Sequence, residues 1–451
     1  MKEIYWENVE KENRAFFEKN TVCELVLSNM CDNRNIGKNR NNLFYIMKFV
    51  VASLFAFFNK VRIEKNNKIA VFGTCLNRPN DWGLIWPLVL EMDKRNSPFF
   101  FQVSDTCYMN HKKEIQKLKN ATILYQSEYS RKLLTCSWKN ITNTFKEQKK
   151  IKAILKKHGL GNIWEYRSIY IVNTAYANGV YKKMFSNCRF SISLGNRIFG
   201  FLYNIYGIKH FGVQHGDSRP ELVGLWTPSV KPNIFAGLMY GEYYSDIYRR
   251  IFGMKCFSVG HPVLSKENCE LNSASKQIVF FSESHAVVND KQASQEELEK
   301  LNETLDEIIE FYNSLPEDYS FYIKLHPNES ADYMKRYKND FGGRIKILDG
   351  SIHSIDVLKS SLLAISWGSS VNLEAIKMGC LGIQLVKNMK YFRKQEFSYR
   401  VYSLKEVNEL LNDKERINEI FEEKRKIADR YIKISDRVEA DTIDLTFQYS
   451  A

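Results

Sequence analysis

Residues 362–386, LLAISWGSSVNLEAIKMGCLGIQLV, place two apolar runs on either side of a polar turn and a short helical stretch. LLAIS predicts a buried strand, Trp-Gly-Ser-Ser a turn, residues 371–378 a helix that ends at Gly379, and LGIQLV the next strand. Strand, turn, helix and strand in this order are the repeating unit of an α/β layer built on a parallel sheet.

The same alternation continues towards both ends of the chain. Further strands are predicted from the runs KIAVFGT, PFFFQVSD, ATILYQS, RFSISLG, HFGVQHG, IFAGLMY and CFSVG, which begin at about Lys68, and from QIVFFS, SFYIKL and IKILD. Between them lie helical segments, and the clearest of these, at 294–314, carries its leucines and isoleucines on one face. The sequence therefore predicts an α/β fold of two Rossmann-like, doubly wound domains that face a central cleft.

A change of composition after residue 262 marks the boundary between the two domains, because the segment LSKENCELNSASK is polar and poor in large apolar side chains. The predicted organisation has an N-terminal helical segment, a first domain, a linker, a second domain and a C-terminal helical tail that could cross back onto the first domain. Their bounds are 1–66, 67–262, 263–275, 276–402 and 403–451.

Composition and charge limit the classes of function. Hydrophobic residues make up 44% of the chain and charged residues 26%, which excludes a disordered chain. The 65 Lys and Arg exceed the 52 Asp and Glu and give a formal charge of +13, which favours anionic partners. The nine cysteines are dispersed without a CxxC pair, so we expect free thiols in a reducing cytoplasm and no bound metal.

The N-terminal region lacks the basic and apolar pattern of a signal peptide. Residues 43–58, LFYIMKFVVASLFAFF, are apolar but too short for a membrane span, and Lys and Arg flank them. Two interpretations stay open: a helix on the surface of an anionic membrane, or a core helix of the first domain. With the overall charge, the first predicts a peripheral protein at the cytoplasmic face of the plasma membrane.

Three polar clusters follow predicted strands, where parallel sheets bind ligands. In the first, His215 and Asp217 follow HFGVQ, and either could act as a base towards an acceptor hydroxyl. In the second, His326 and Pro327 end SFYIKL, where the histidine could hold a phosphate oxygen beside Lys324.

In the third cluster, Ser369 and Ser370 precede a helix and could bind a phosphate or simply cap that helix. Glu374 could bind a ribose hydroxyl or be a solvated helix residue. Two more residues are candidates: Asp81, in a polar loop after KIAVFGT, as an acceptor-side base or a helix cap, and His285, after QIVFF, as a residue facing the diphosphate or sugar.

Taken in order, Gln214-His215-Gly216, Lys324-Leu-His326-Pro327 and Ser369-Ser370 with Glu374 resemble the motifs of GT-B transferases that build bacterial surface polymers. The resemblance is to capsule polysaccharide transferases, including Kdo and sialic acid transferases, and to CDP-glycerol glycerophosphotransferases, and it covers residues 68–390. It implies that His326, Ser369 and Ser370 hold the donor phosphate and that His215 is the catalytic histidine.

The resemblance has one departure, since Asn80-Asp81-Trp82-Gly83 only approaches the paired acidic motif of bacterial polysialyltransferases. The expected substrates are a nucleotide-activated donor, with a CMP- or CDP-linked group among the candidates, and a saccharide or lipid-linked acceptor, with no separate cofactor. Two alternatives remain: a nucleotide-sugar 2-epimerase, and a nucleic-acid-binding protein that uses the basic residues of 111–158. The even spread of Lys and Arg along the chain disfavours the second, so nucleic acid is not an expected partner.

Overall fold

The computed structural model describes two α/β units and the C-terminal helices that join them. The described residues are 12, 13, 15, 68–75, 79–125, 150–154, 156, 157, 185, 187–194, 207–214, 216, 235–267, 269–282, 295–326, 329, 335, 337–339, 341, 343, 345–386 and 394–450. The segment 43–58 lies wholly outside them, and so does most of the 111–158 basic region.

The first unit is a parallel sheet of seven strands in the order β3-β2-β1-β4-β5-β6-β7. Its strands are β1 (Ala70–Cys75), β2 (Phe99–Val103), β3 (Ala121–Tyr125), β4 (Phe190–Leu194), β5 (Lys209–Val213), β6 (Ala236–Met239) and β7 (Cys256–Ser258). The helices described in this unit are α1 (Pro79–Lys94), α2 (Asp105–Asn110), α3 (Lys112–Ile115) and α4 (Glu242–Phe252). A single 3₁₀ turn, Leu264–Lys266, leads towards the second unit.

The second unit is a parallel sheet of six strands in the order β10-β9-β8-β11-β12-β13. Its strands are β8 (Gln277–Phe281), β9 (Ser320–Lys324), β10 (Lys346–Leu348), β11 (Leu363–Ser366), β12 (Leu381–Leu385) and β13 (Tyr399–Val401). Its helices are α5 (Gln295–Ser314), α6 (Ser354–Leu358), α7 (Val371–Lys377), α8 (Leu404–Leu411) and α9 (Lys414–Ala428).

These strands form where the sequence has short apolar runs that are covered on both faces. Every residue of β2, β11 and β12 is buried, as expected for central strands of a parallel sheet with helices on each side. In each sheet the strand order reverses direction beside the first strand, between β1 and β4 and between β8 and β11. The fold therefore confirms the predicted pair of doubly wound sheets, and it gives each sheet a crevice at the carboxyl ends of its strands.

The last helix, α10 (Val438–Ser450), packs against α1 of the first unit, although it follows the helices of the second. Arg95, directly after α1, forms an ion pair with Asp444 and donates to the carbonyl of Ala440, and Lys209 Nζ donates to the carbonyl of Tyr449 at 2.7 Å. Ile443 is fully buried in the core of the first sheet. The C-terminal tail thus joins the two sheets.

Candidate functional site

A cavity of about 60 Å³ lies between the two sheets, and both contribute to its walls. The first sheet and its crossover supply Gly83, Leu84, Gly216, Tyr240, His261, Val263 and Leu264, and the second unit and the tail supply His353, Ile355, Ser370, Leu373, Glu374 and Ile432. The enclosed volume holds a few water molecules. Ligand clefts typically measure about 300–1,000 Å³, so a nucleotide-sized ligand has to extend beyond this cavity or separate the two sheets.

The Gln-His-Gly turn after β5 faces the Ser-Ser turn after β11 across this cavity. A Cβ placed on Gly216 would lie 3.5 Å from Ser370 Oγ, and the φ of Gly216, 66°, is one that glycine adopts without strain. Two of the three predicted clusters therefore meet.

Gln214 shapes the first turn, a role that the sequence analysis did not assign. Its side chain is buried, Nε2 donates to the carbonyl of Gly216 at 2.9 Å, and Oε1 accepts from the Tyr240 backbone N–H at 2.9 Å. His215 and Asp217 lie outside the described residues, but their neighbours Gln214 and Gly216 fix where this turn enters the cavity.

Hydrogen bonds within the turn hold the Ser-Ser cluster in place. Ser369 N–H donates to Ser366 Oγ at 3.2 Å, and the Gln395 amide donates to the carbonyls of Gly368 and Ser369, both at 2.9 Å. Ser370, at the cap of α7, lines the cavity, whereas Ser369 is not among the lining residues. Of the two serines, Ser370 is thus the better placed to contact a ligand.

Glu374 lies one turn further along α7 and also lines the cavity. Its Oε2 accepts a hydrogen bond from Ser354 Oγ at 2.7 Å, so the carboxylate is held between α6 and α7. A carboxylate fixed in this way can accept a hydrogen bond from a ligand hydroxyl.

Lys324 and His326 of the Lys-x-His-Pro cluster lie at the end of β9, and neither is among the residues that line the cavity. Lys324 is buried, with only 3% of its surface exposed, and its Nζ donates to the carbonyl of Leu325 at 2.9 Å. Burial lowers the pKa of Lys324 to about 8, although Asp349 opposes this shift. Its charge reaches the cavity, because Lys324 contributes to lowering the pKa of the cavity residue His353.

His326 is half-buried and is not one of the residues that line the cavity. Its backbone N–H donates to Ser282 Oγ at 2.9 Å, and this hydroxyl donates to the buried Glu329 carboxylate at 2.8 Å. Pro327 and His285 lie outside the described residues.

Asp81 lies in the first turn of α1, which begins at Pro79. Proline suits this start because its fixed φ and missing N–H match the first helical position. The polar loop expected around Asp81 is therefore helical, and the side chain of Asp81 lies outside the described part of the chain.

Two histidines line the cavity that the sequence analysis did not select as ligand contacts. His261 follows β7 at the crossover to the second unit, and His353 precedes α6, which follows β10. Both therefore come after strands of a parallel sheet, so the strand-end rule applied to every strand would have found them.

Burial also sets the protonation state of these two rings. It lowers the pKa of His261 to about 3, and the proximity of His353 adds to the effect. The pKa of His353 is likewise lowered, mainly by burial, with Asp356 opposing and Lys324 reinforcing the shift. Both rings are therefore neutral near pH 7.

No group of histidine, cysteine or carboxylate side chains in the described ranges is arranged to hold a metal ion. Among the helices of those ranges, none has the length and apolar character needed to cross a membrane.

Solved structures of known proteins match the architecture of most of the chain. No family model matches the sequence, and no curated protein matches it either. Among solved structures, a variant of the wall teichoic acid polymerase TagF aligns with 12% identity and a TM-score of 0.51, over 90% of this chain and 96% of that one. UDP-GlcNAc 2-epimerase from Neisseria meningitidis, bound to UDP-GlcNAc, aligns with 12% identity and a TM-score of 0.52, over 84% of this chain and 100% of that one.

The chain has the GT-B fold. In the frame of this fold, the cavity between the sheets is the interdomain cleft, and Gly216 and Ser370 are contributed to it by opposite domains. At 12% identity the comparison establishes the GT-B architecture, and the chemistry has to be argued from the residues of the cleft.

Proposed function

We propose that this protein is a GT-B transferase that moves a sugar or a polyol phosphate from a nucleotide-activated donor to a saccharide or lipid-linked acceptor of a bacterial surface polymer. The observation that carries the proposal is the approach of the Gly216 turn to Ser370 and Glu374 in one interdomain cavity. A transferase needs such a meeting point, because donor and acceptor must be held against each other with water excluded.

In the proposed mechanism the second domain binds the donor. The Ser370 hydroxyl donates to a phosphate oxygen, and the buried ammonium of Lys324 supplies positive potential behind it. Glu374 accepts a hydrogen bond from a hydroxyl of the donor. His326, Ser369, Pro327 and His285 remain predicted donor-side residues.

The first domain provides the base. His215 is proposed to take the proton of the acceptor hydroxyl, with Asp217 orienting it or acting in its place, and Asp81 is the remaining acidic candidate. The acceptor oxygen then forms a bond to the transferred group. The bond from that group to the nucleotide phosphate breaks, and its electron pair stays on the phosphate oxygen. We propose that no metal ion takes part, because Lys324 and the hydrogen-bond donors of the cleft would stabilise this charge.

Nucleotide-dependent stabilisation tests the proposal directly. A panel of CMP, CDP, UMP, UDP, GDP and ADP is compared by thermal shift on wild type and on Ser370→Ala. A ligand at a hundred times its Kd adds about 2.7 kcal/mol to the stability of the folded protein. We expect one nucleotide family to raise the Tm of wild type and to raise that of Ser370→Ala much less.

Two further variants sharpen this experiment. Ser273→Ala, at an exposed position in the linker, is the matched control and should respond like wild type. His326→Ala tests separately whether the histidine at the end of β9 contacts the donor. If no nucleotide stabilises wild type, the proposed transferase cleft is wrong.

A nucleotide-sugar 2-epimerase is the second candidate, since the epimerase structure matches this fold as well as the polymerase does. The two reactions differ in their need for an acceptor. The nucleotide sugar that stabilises wild type is incubated with the protein, with and without a saccharide acceptor. Release of nucleotide only when acceptor is present supports transfer, whereas conversion of the sugar without release supports epimerisation.

We further propose that the protein acts at the cytoplasmic face of the plasma membrane. The excess of 65 Lys and Arg over 52 Asp and Glu and the basic flanks of residues 43–58 support this location. Sedimentation with vesicles that contain anionic lipid, but not with neutral vesicles, is the expected result, and added salt should weaken it. Equal sedimentation with both would contradict an electrostatic attachment.

A further inference from the structure

His261 and His353 face the same cavity from opposite sides of the cleft, and their backbones hold both rings in the same way. His261 Nδ1 accepts hydrogen bonds from the N–H groups of Val263 and Leu264, both at 3.1 Å. His353 Nδ1 accepts from the Ile355 N–H at 3.2 Å and so caps α6. Each ring is therefore anchored through its Nδ1 atom.

This anchoring decides which ring nitrogen carries the proton. A nitrogen that accepts from a backbone N–H has no hydrogen of its own, so the proton of each neutral ring is assigned to Nε2. Within the described residues, neither Nε2 atom has a hydrogen-bond partner. The cavity is thus supplied with two N–H donors, one from each side of the cleft.

Both rings lie at the cleft between the two domains. His353 Nε2 lies 3.7 Å from where a Cβ on Gly83 would be, so this ring of the second domain reaches the first turns of α1 in the first domain. The ring of His261 packs edge-on against Tyr240, with 4.7 Å between the centroids. Both residues line the same small cavity as Ser370 and Glu374.

The charged groups around the pair favour an anion as the ligand. Lys324 lowers and Asp356 raises the pKa of His353, and His353 in turn lowers the pKa of His261. Two N–H donors, the Ser370 hydroxyl and the field of Lys324 all suit phosphate oxygens, while the Glu374 carboxylate suits a hydroxyl of the same ligand. Because both rings are neutral, the protein meets the anion without burying two more positive charges.

We propose that His261 and His353 are a pair of neutral hydrogen-bond donors that bind a phosphate of the nucleotide donor from the two sides of the cleft through their Nε2–H groups. The bound phosphate then links the two domains, so these residues couple donor binding to closure of the cleft. This inference rests on the proposed function and adds to it a donor-binding pair that belongs to both domains.

Two amide substitutions distinguish the acceptor role of Nδ1 from the donor role of Nε2 in each ring. His353→Asn keeps an acceptor near the place of Nδ1 and is a good helix cap, but it removes the donor at Nε2. His353→Gln extends an amide N–H towards the place of Nε2 and loses the cap. His261→Asn and His261→Gln make the same comparison at the other ring.

The four variants and wild type are compared by ligand-free Tm and by calorimetric titration with the nucleoside diphosphate that stabilises wild type most. We expect the Asn variants to keep a Tm near that of wild type and to bind roughly ten- to a hundredfold more weakly, which is the worth of a hydrogen bond to a charged group. The Gln variants should have a lower Tm and keep most of the affinity.

The reverse pattern, in which Asn variants bind like wild type and Gln variants lose stability and affinity together, would show that both histidines serve only as backbone caps. That result would overturn this inference and leave the proposed function standing. If wild type itself binds no nucleotide, the proposed function fails, and the inference fails with it.

Discussion

Lys324 holds its side chain in an environment that disfavours a positive charge. Its ammonium group is buried beside the cleft with a single backbone acceptor in the described structure, and burial lowers its pKa from 10.5 to about 8. A positive charge buried in this way destabilises the fold. It also attracts an anion strongly, because solvent does not screen its potential.

The lowered pKa of Lys324 predicts a specific dependence of stability on pH. Between about pH 8 and 10.5 the unfolded chain binds a proton at this residue that the folded chain does not bind, so raising the pH through this window stabilises the fold. The slope from this group is about 1.4 kcal/mol per pH unit. Urea denaturation of wild type and Lys324→Met at pH 7, 8, 9 and 10 should show this rise in wild type alone. Parallel curves would mean that the ammonium is solvated.

His210 is a second buried ionisable group whose pKa is lowered, and it affects stability in the acid range. It is fully buried on β5, and its ring nitrogens pair with Ser191 Oγ at 2.8 Å and Ser193 Oγ at 3.2 Å. Burial lowers its pKa to about 3, so the stability it contributes is complete above pH 6.5 and is lost as the pH falls towards 3.

The variant His210→Leu tests both the hydrogen bonds of this ring and its titration. We expect it to cost about 1–3 kcal/mol at pH 7, because two buried hydroxyl groups lose their partner. Its unfolding free energy should then fall less steeply than that of wild type between pH 6.5 and 3, in chemical denaturation at a series of pH values. An equally steep fall would assign the acid sensitivity to other groups.

At the scale of elements, the connection between α9 and α10 is held against the start of α4. Tyr243 N–H donates to the carbonyl of Arg430 at 3.2 Å, and Lys433 N–H donates to the carbonyl of Tyr240 at 2.8 Å. Tyr431 packs between Tyr243, Tyr244 and Phe397. The tail therefore contacts the first domain before α10 begins.

Gly241 permits this close approach, because a Cβ there would lie 2.4 Å from the carbonyl oxygen of Tyr431. Gly241→Ala has to displace the backbone of the tail, and we expect a loss of about 1–3 kcal/mol in the free energy of unfolding. Gly83→Ala, inside α1, is the control, since its Cβ would meet only His353 Nε2 at an ordinary contact distance of 3.7 Å. Urea denaturation of both variants should show a loss for Gly241→Ala alone, and equal stabilities would show that the contact with Tyr431 is loose.

At the scale of the whole molecule, α10 covers part of the core of the first domain. Phe447 packs edge-on against Phe190 at 5.3 Å, and the ring of Tyr449 lies tilted against Phe257 at 4.9 Å. Lys255 Nζ lies 3.5 Å from the centre of the Tyr449 ring. The two domains are thus joined by the linker and by this returning helix, which limits how the cleft can open.

Deleting residues 438–451 tests this role. The deletion exposes the apolar face of α1 and β4, so we expect faster hydrogen exchange in peptides from α1 and β4, with peptides from α5 unchanged. Mass spectrometry of the exchange reads both regions in one experiment. Unchanged exchange in α1 would show that the first domain is stable without its covering helix.

The sequence by itself determined the strands other than β13, the two-sheet architecture and the order of the polar turns. The reason is that a short apolar run predicts a buried strand wherever it occurs in the chain. It missed the short elements β13 and α6, whose length and composition carry no periodic signal. The predicted strand ends pointed to Ser370 and Glu374, which line the cavity, but they gave no means to separate Ser369 from Ser370.

Only the tertiary structure decided which side chains meet. Gly216 faces Ser370, and His261 and His353 share one cavity. The charge of Lys324 lowers the pKa of His353, although the two residues are far apart in the chain. The physical reason is that such distances depend on how two sheets and a returning helix pack together, whereas hydrophobic periodicity encodes only the local elements. The tautomers of the two histidines follow from backbone N–H groups that take their positions only when the chain has folded.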